Sequence, residues 1–412
     1  MAVLAIVYMF NFVDRQILAI LLPAIREEFQ VGDTVLGLLT GTAFALFYVS
    51  LGIPIAQLAD RFNRRNLIAI AVAVWSGMTA VSGLAGNIWQ LALARVGVGI
   101  GEAGCSPPAH SIIADYYPPE QRSAAMGVYT LGISAGVMFA YLAGGWVVQN
   151  LGWRQAFFIV GLPGLLLALV VRLTVPEPAR GASELRGDSG HRPGLAEVLK
   201  FLATRPSFVF LAIGAGLSSF SGYAVINFMP SFLVRSFAID TMTLGIWLGL
   251  IYGLAGGLGF WGGGAFADRF GRRGYRSALN FIAVAMLASA FLNAAVFLST
   301  SALYCLLLFV IPTATSNFYL APVLSQAQSL VSLRMRAVAS AIMLLVINVI
   351  GLAIGPPVTG AISDLLAAGF GQESMRYSLL IVSVTTLGAS AWCYLQAGRR
   401  IDADLARAGE RD

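Results

Sequence analysis

The sequence predicts an all-α membrane protein in which twelve transmembrane helices form two pseudo-symmetric six-helix bundles. Three observations support this prediction. Hydrophobic residues make up 58% of the chain and charged residues only 11%, whereas about a quarter of a soluble domain is charged. Apolar segments of about 20 residues, the length that crosses a bilayer, recur along the whole chain. A loop pattern around Asp60 recurs around Asp268, 208 residues later.

The first half contains six apolar segments separated by short polar turns, which end the apolar runs. The proline pair at Pro107 predicts a break in the fourth segment, because proline removes a backbone hydrogen bond from a helix interior. The predicted spans run to about Pro23, then over about Thr34–Leu58, Asn66–Leu84, Trp89–Ala109 and Ser123–Val148, and finally to about Arg172.

The second half repeats this layout after a proline-containing, charged linker with one short surface helix at Gly194–Leu202. We therefore predict a first bundle over residues 1–173, a cytoplasmic linker over 174–205, a second bundle over 206–398 and a cytoplasmic tail over 399–412. The predicted spans are about Ser207–Leu233, Thr243–Ala265, Ser277–Leu298, Ala302–Leu324, Ala337–Ile362 and Tyr377–Ala397.

The distribution of basic residues predicts the orientation in the membrane. With both termini in the cytoplasm, the outer turns hold only Arg26, Arg154, Arg235 and Arg376, and the inner segments hold most of the other basic residues. The net charge of +6 therefore reflects topology and does not indicate nucleic-acid binding. The preference for Arg over Lys suits a bacterial protein of the inner membrane. We expect a monomer surrounded by membrane lipids.

The composition also argues against several kinds of site. The three cysteines, Cys105, Cys305 and Cys393, are scattered in apolar segments, so we expect neither a disulfide nor a metal site. Two histidines are too few for a metal centre, and none lies at mid-membrane, so an intramembrane lipid enzyme is only a remote alternative. The sequence indicates no cofactor.

Four charged residues fall inside predicted spans: Asp14 and Arg15 in the first, Arg95 and Glu102 in the fourth. A charge at the bilayer centre costs from about 3 to over 10 kcal/mol, so these side chains must face a protein interior or a water-filled cavity. Asp14 and Arg15 point about 100° apart on a helix and are poor partners for each other. Two interpretations stay open at this point: a buried structural ion pair, or an ionisable site that works in transport.

Loop and helix motifs identify the chain as a member of the major facilitator superfamily by resemblance. Gly264–Arg273 reads Gly-x-Phe-Ala-Asp-Arg-x-Gly-Arg-Arg, which matches the superfamily's loop signature. The first-half copy departs from it, with Ala56 and Asn63 where glycines are usual. The run Arg95-x-Gly-x-Gly and the glycine-proline run at Gly351–Pro356 resemble further motifs of the superfamily. The resemblance covers the whole chain and implies alternating access by the two halves.

A narrower resemblance points to the Spinster branch, whose animal members export sphingosine-1-phosphate or lysophospholipids. It is carried by Asn11-x-x-Asp14-Arg15, by the run Arg95–Glu102 and by Asp115-Tyr-Tyr-Pro. The resemblance implies that spans 1, 4, 7 and 10 line a central cavity, with the four charges on its amino-terminal side. The candidate cavity residues are Asn11, Tyr48, Tyr129, Tyr223, Asn227, Phe228, Phe318 and Tyr319, with the neutral Asn317 also available in span 10.

These residues suggest a proton-coupled transporter of a lipid-like anion. Asp14 and Glu102 would exchange the proton, and Arg15 and Arg95 would release or bind an anionic head group, because guanidinium groups grip phosphate or carboxylate bidentately. A proton-linked symporter of small organic anions is the alternative, since related branches also carry arginines in spans 1 and 4. We expect the four charges to share a wet chamber.

The cytoplasmic loops predict a gate. An acid near a helix amino terminus is stabilised by the helix dipole, typically by about 0.3–1 kcal/mol, so Asp60 and Asp268 are expected to hold the gate closed against spans 11 and 5. Loop arginines would add salt bridges across the two halves, and topology signalling is their alternative role. The candidate gate residues are Asp60, Arg61, Arg64, Arg65, Asp115, Arg122, Asp268, Arg269, Arg272, Arg273 and Arg336.

Overall fold

The computed structural model describes residues 1–179, 195–271, 274–332 and 335–409. These residues form helices, turns and loops without any β-strand, so the all-α prediction is confirmed for the described part of the chain. The middle of the predicted linker, residues 180–194, lies outside the described residues. The candidate gate residues Arg272 and Arg273 also lie outside them.

Contacts divide the chain into two compact units. The first unit comprises Met1–Asp188 together with Leu233–Gly253, and the second comprises Ser189–Phe232 and Leu254–Asp412. The predicted domain boundaries stay a prediction. The helices of the first half are α1 (Ala2–Phe29), α2 (Asp33–Thr40), α3 (Thr42–Arg61), α4 (Arg64–Ser82), α5 (Ile88–Ala103), α6 (Ser106–Tyr116), α7 (Pro119–Leu151) and α8 (Trp153–Thr174).

The later helices are interrupted more often. Spans 8 and 11 each contain a π-helical stretch, at Ile251–Ala255 and Asn348–Ile354. The helices are α9 (Leu195–Ala203), α10 (Pro206–Phe237), α11 (Thr241–Leu250), α12 (Gly256–Gly271), α13 (Tyr275–Leu298), α14 (Ala302–Thr315), α15 (Leu320–Ser329), α16 (Arg336–Ile347), α17 (Gly355–Phe370) and α18 (Ser374–Gly409).

Ten stretches of the described chain are long and apolar enough to cross a membrane. The count differs from twelve for two reasons: Val338–Ala406 runs through predicted spans 11 and 12, and span 4 consists of the shorter helices α5 and α6. The break in span 4 falls at Gly104–Cys105, before the prolines and not at them. Proline is tolerated in the first turn of a helix, and Pro107 lies in the first turn of α6.

The predicted cytoplasmic tail continues the last helix as far as Gly409. Within it, Asp404 is buried and accepts hydrogen bonds from the amide and hydroxyl of Ser207, at 2.9 and 2.6 Å. Arg205 donates to the backbone oxygen of Asp404 at 3.1 Å. The described part of the tail is therefore docked on the start of α10, because its acid satisfies amide and hydroxyl donors there.

Within the first unit, the segment Leu233–Gly253 packs against the chain that precedes it. Arg235 donates two hydrogen bonds to the carboxylate of Asp33, which is buried and also lies 3.4 Å from Arg26. Gly145 and Gly245 face each other so closely that a Cβ on Gly145 would lie 2.9 Å from the Cα of Gly245. Glycine packing and a buried ion pair together hold this segment in place.

Glycines set the spacing of the helices that carry the fourth-span charges. Lipid tails are as apolar as leucine, so helices in a membrane associate through close packing and polar contacts. A Cβ on Gly101 would lie 2.6 Å from the backbone nitrogen of Trp75 in α4, and one on Gly99 would lie 2.5 Å from the carbonyl oxygen of Phe44 in α3. The glycine run of α5 therefore allows α3 and α4 each to pack against the backbone of α5.

We expect Gly101→Ala to lower the apparent melting temperature of the purified protein in detergent. The added methyl group must push α4 away, and overpacking of this kind costs about 1–3 kcal/mol. Gly127→Ala in α7 is the matched control, because nothing lies within 4 Å of its Cβ position and alanine is the better helix former. Equal melting temperatures for the two variants would contradict close packing at α5.

Candidate functional site

The four intramembrane charges form two ion pairs that cross between α1 and α5. Arg15 donates to Oε2 of Glu102 from Nη2 at 2.6 Å and from Nε at 3.2 Å. Arg95 donates from Nη1 to Oδ1 of Asp14 at 3.3 Å. Each helix therefore contributes one acid and one base, and each charge is matched by a residue of the other helix. The pairing leaves the site with no net charge.

The site is more deeply buried than a wet chamber would be. Asp14, Arg95 and Glu102 are each 1% exposed, while the side chain of Arg15 is 9% exposed. The expectation of a shared water-filled chamber is therefore wrong for this conformation. Of the four side chains, that of Arg15 is the most exposed. The close packing of α5 contributes to this burial, because Gly99 and Gly101 lie against the backbones of α3 and α4.

Aromatic rings surround the guanidinium group of Arg15. Its Cζ atom lies 5.1, 4.8 and 4.9 Å from the ring centroids of Phe12, Phe44 and Tyr48. A cation over an aromatic face gains about 0.5–2 kcal/mol, depending on its exposure to water. The guanidinium group therefore has these ring contacts in addition to its ion pair with Glu102. The predicted cavity residue Tyr48 is thus brought to the charge site.

Two further predicted residues lie near this cluster. Tyr129 is fully buried and stacks on Tyr8 with ring centroids 4.2 Å apart, and Tyr8 meets Phe12 edge to face at 5.2 Å. Asn11 lies one turn before Arg15 on α1 and is buried. The structure therefore gathers the predicted residues of the first half around Arg15 or one ring beyond it.

Sequence reasoning missed three contributors to the site. The hydroxyl of Thr79 in α4 donates to the carboxylate of Asp14, and Phe12 and Phe44 lie against Arg15. Phe12 carries a detectable signal, because it precedes Arg15 by three residues and so lies on the same helix face. Thr79 and Phe44 come from other helices, and nothing in their local sequence distinguishes them from packing residues.

The candidate residues of the second half are placed in the second unit. Phe228 is fully buried, and Asn227 is buried and donates to the carbonyl oxygen of Tyr223 at 2.8 Å. Phe318 stacks on Phe281 at 6.0 Å, and Tyr319 belongs to an apolar cluster. These contacts fit packing roles, and the assignment of these residues to a substrate cavity stays a prediction.

Several candidate gate residues form one polar network in the first unit. Arg64 is buried and contacts the carboxylate of Asp115 at the end of α6. Its Nε also donates to Oε1 of Glu177 at 2.8 Å, and the amide of Arg65 donates to Oε2 of the same carboxylate at 2.8 Å. We call Arg64, Asp115 and Glu177 the loop clamp. It joins the start of α4, the end of α6 and the segment that follows α8, whereas the sequence predicted salt bridges across the two halves.

The structure describes fewer side-chain contacts for the other gate candidates. Arg122 donates to the backbone oxygens of Ala114 and Tyr117 at 3.1 and 3.2 Å. Arg61, Arg269 and Arg336 are exposed. Asp60 lies in the last turn of α3 and Asp268 in α12, and the positions of their side chains lie outside what the structure describes. The gating roles of these residues stay predictions.

A metal or disulfide centre has no candidate in the described residues. Cys105, Cys305 and Cys393 are free and buried. No group of three or more His, Cys, Asp or Glu side chains in the described part of the chain could hold a metal ion.

The helical fold and the motif-bearing loops define a membrane transporter, and the family follows from comparison. The sequence model of the major facilitator superfamily matches residues 4–356, so this chain belongs to that superfamily. It is a multi-pass membrane transporter and not an enzyme. Its relatives place it in the Spinster-like branch.

Three similar proteins illustrate that placement. The chain is 33% identical to an MFS-type efflux pump of Mycolicibacterium smegmatis over 98% of this chain and 93% of the relative. It is 31% identical to a sphingosine-1-phosphate transporter of Danio rerio, over 55% of this chain and only 45% of the relative. A crystal structure of a bacterial homologue of the human lysosomal transporter Spinster, inward-facing and unoccupied, superposes with a TM-score of 0.89 at 32% identity, covering 98% of this chain and 97% of the other.

We expect Asp14→Asn to destabilise the protein by about 3–5 kcal/mol, because it leaves the buried Arg95 without its charge partner. Replacing both residues, as Asp14→Asn with Arg95→Met, should recover much of that loss. Melting temperatures of the single and double variants in detergent measure the effect. Glu28→Gln is the control, since Glu28 pairs with Arg154 at 2.7 Å but is 42% exposed, and exposed pairs contribute about 0–1 kcal/mol. Additive losses in the double variant would contradict a coupled pair.

We expect Glu177→Gln to speed hydrogen exchange at the start of α4, where its carboxylate accepts the Arg65 amide. Partial burial disfavours the charged form, but hydrogen bonds from the Arg65 amide and the Arg64 guanidinium outweigh it and hold the pKa of Glu177 below its ordinary value. The carboxylate's contribution is therefore complete above about pH 4.3 and is lost as the pH falls through the lower folded pKa.

Acidification should then loosen the loop clamp in the wild type and add nothing specific in Glu177→Gln. Exchange at the start of α13, far along the chain from the clamp, provides the internal reference in both proteins. The same exchange at Arg65 in both proteins at neutral pH would show that Glu177 does not hold this segment.

Proposed function

We propose that this protein is a proton-coupled secondary transporter of amphiphilic anions, of the sphingosine-phosphate or lysophospholipid class, that works by alternating access. The observation that carries the proposal is the crossed pairing of two buried acids with two arginines between α1 and α5. Charged groups buried at membrane depth are expensive, and their usual uses are proton relays and substrate paths. Ion pairs with a purely structural role would neither relay protons nor line a substrate path.

The geometry suggests how a proton and a substrate would be linked. Protonation of Glu102 removes the negative charge that holds Arg15 at 2.6 Å. Phe12, Phe44 and Tyr48 still hold the guanidinium group, so Arg15 becomes a fixed cation without an anion. A phosphate or carboxylate head group can then replace Glu102, because the planar guanidinium fork binds such groups bidentately. The carboxylate of Glu102 and the anionic head group of the substrate thus compete for Arg15, and protonation of Glu102 favours the substrate.

The substrate class rests on the surroundings of Arg15 and on the relatives. The rings around Arg15 continue through Tyr8 to Tyr129, which offers an apolar and aromatic wall next to the cation. A hydrocarbon chain suits such a wall, whereas a small polar acid gains little from it. The name of the similar sphingosine-1-phosphate transporter points in the same direction. We propose further that the protein acts as a monomer in a bacterial inner membrane with both termini in the cytoplasm.

The loop residues are proposed to bias the conformational equilibrium from the cytoplasmic side. In this view Asp60 stabilises one state, and its removal shifts the population. Asp60→Ala should shift the distribution of distances between spin labels on the two halves towards the inward-open form. An unchanged distribution would argue that the loop signature serves topology only.

We expect purified protein in lipid vesicles to take up labelled sphingosine-1-phosphate or lysophosphatidate when a pH gradient is imposed. Asp14→Asn and Glu102→Gln should each lose at least tenfold of the gradient-driven rate, because neither variant can exchange the proton at that position. Glu28→Gln, which removes an exposed acid from the same helix, is the matched control and should keep the wild-type response.

Two results would overturn parts of this proposal. A full gradient response in both Asp14→Asn and Glu102→Gln would remove proton coupling from these acids. Uptake of a small organic acid such as succinate, with no uptake of either lipid, would replace the amphiphile by a small organic anion.

A further inference from the structure

Thr79 differs from the other buried threonines of this protein in what its hydroxyl contacts. Thr313 and Thr359 donate to the carbonyl oxygen four residues earlier, at 2.8 Å in each case. The hydroxyl of Thr79 instead lies 2.5 Å from both carboxylate oxygens of Asp14, closer than the 3.3 Å that separates Arg95 from the same carboxylate. Thr79 is fully buried. A hydroxyl is therefore the nearest donor to one of the two intramembrane acids.

The position of Thr79 is fixed by the packing of its own helix. A Cβ on Gly97 in α5 would lie 2.6 Å from the side chain of Met78, and one on Gly161 in α8 would lie 2.6 Å from the backbone nitrogen of Ala80. The residues on both sides of Thr79 are thus held by neighbouring helices. The backbone on which Thr79 lies is therefore closely packed, and its hydroxyl lies against the carboxylate of Asp14.

We propose that Thr79 is a positioning residue that sets the proton affinity of Asp14 during transport. The proposal rests on the proposed function, because it needs Asp14 to exchange a proton. A hydroxyl that donates to a carboxylate stabilises the ionised form. Without this donor, Asp14 binds its proton at a lower proton concentration, and the pH at which transport is half-maximal rises.

Thr79 is an uncharged hydrogen-bond donor to Asp14, and several charged or titratable groups lie on the neighbouring helices. Arg95 and Glu102 face Asp14 from α5, and Arg15 follows it on α1. On α7, the titratable tyrosines are Tyr129 and Tyr141, and the side chain of Glu120 lies outside the described residues.

The arginines of α7 and α8 form hydrogen bonds with other residues: Arg122 with Ala114, Arg154 with Glu28 and Arg172 with Asn66. On α2, Asp33 contacts Arg26 and Arg235.

The test is the pH dependence of gradient-driven lipid uptake in vesicles for Thr79→Val, which keeps the branched shape and removes the hydroxyl. We expect the midpoint to rise by about one to two pH units, because a hydrogen bond to a charged group has that size when expressed as proton affinity. Thr79→Ser restores a hydroxyl and should return the midpoint close to the wild-type value. Thr359→Val, which removes a buried hydroxyl bonded only to a carbonyl, is the matched control and should leave the midpoint unchanged.

The outcomes separate this proposal from the proposed function. An unshifted midpoint in Thr79→Val, with gradient response lost in Asp14→Asn, would overturn the role of Thr79 and leave proton coupling intact. A full gradient response in Asp14→Asn alone would overturn the role of Thr79, and a full response in both Asp14→Asn and Glu102→Gln would also overturn proton coupling at these acids. Equal shifts in Thr79→Val and Thr79→Ser would show that packing matters and the hydroxyl does not. If the valine variant does not fold, Thr79→Ala provides the same comparison.

Discussion

A charge inside a membrane protein needs a counter-charge, and in this protein that requirement joins α1 to α5. Asp14 and Arg15 cannot satisfy each other because they are adjacent on one helix, and Arg95 and Glu102 are two turns apart on theirs. The solution is a crossed pair in which each helix neutralises the other. The same arrangement that joins α1 to α5 supplies the two acids to which we assign the coupled proton. In that proposal, stability and transport depend on the same four side chains.

The glycines of α5 make that arrangement possible. Gly99 and Gly101 allow α3 and α4 each to come into backbone contact with α5. In this arrangement Phe44 of α3 lies over Arg15, and Thr79 of α4 lies against Asp14. The same close packing explains why the acids are nearly inaccessible to water in this conformation. In the proposed mechanism, the acids exchange protons when the helices around them move, so packing links proton binding to conformational change.

The sequence predicted much of the fold because membrane spans and topology follow from composition. It also predicted the four charges, since a charged residue in an apolar span is conspicuous. It could not predict the pairing, because the partner of each charge lies on another helix. Thr79 and Phe44 looked like ordinary packing residues, and Glu177 was one of several acids in the linker. The sequence predicted the break of span 4 at Pro107, whereas the break lies at Gly104. The difference arises because a proline can either end one helix or begin the next, and here it begins one.

In the proposed mechanism, Asp14 and Glu102 change protonation when a substrate binds. Difference infrared spectroscopy of the protein in lipid vesicles, with and without sphingosine-1-phosphate, measures this directly through the carbonyl band of a protonated carboxyl group. We expect a new protonated-carboxyl band when the lipid binds at neutral pH, and a weaker band in each of Asp14→Asn and Glu102→Gln. A spectrum in which both acids stay ionised with and without the lipid would contradict it.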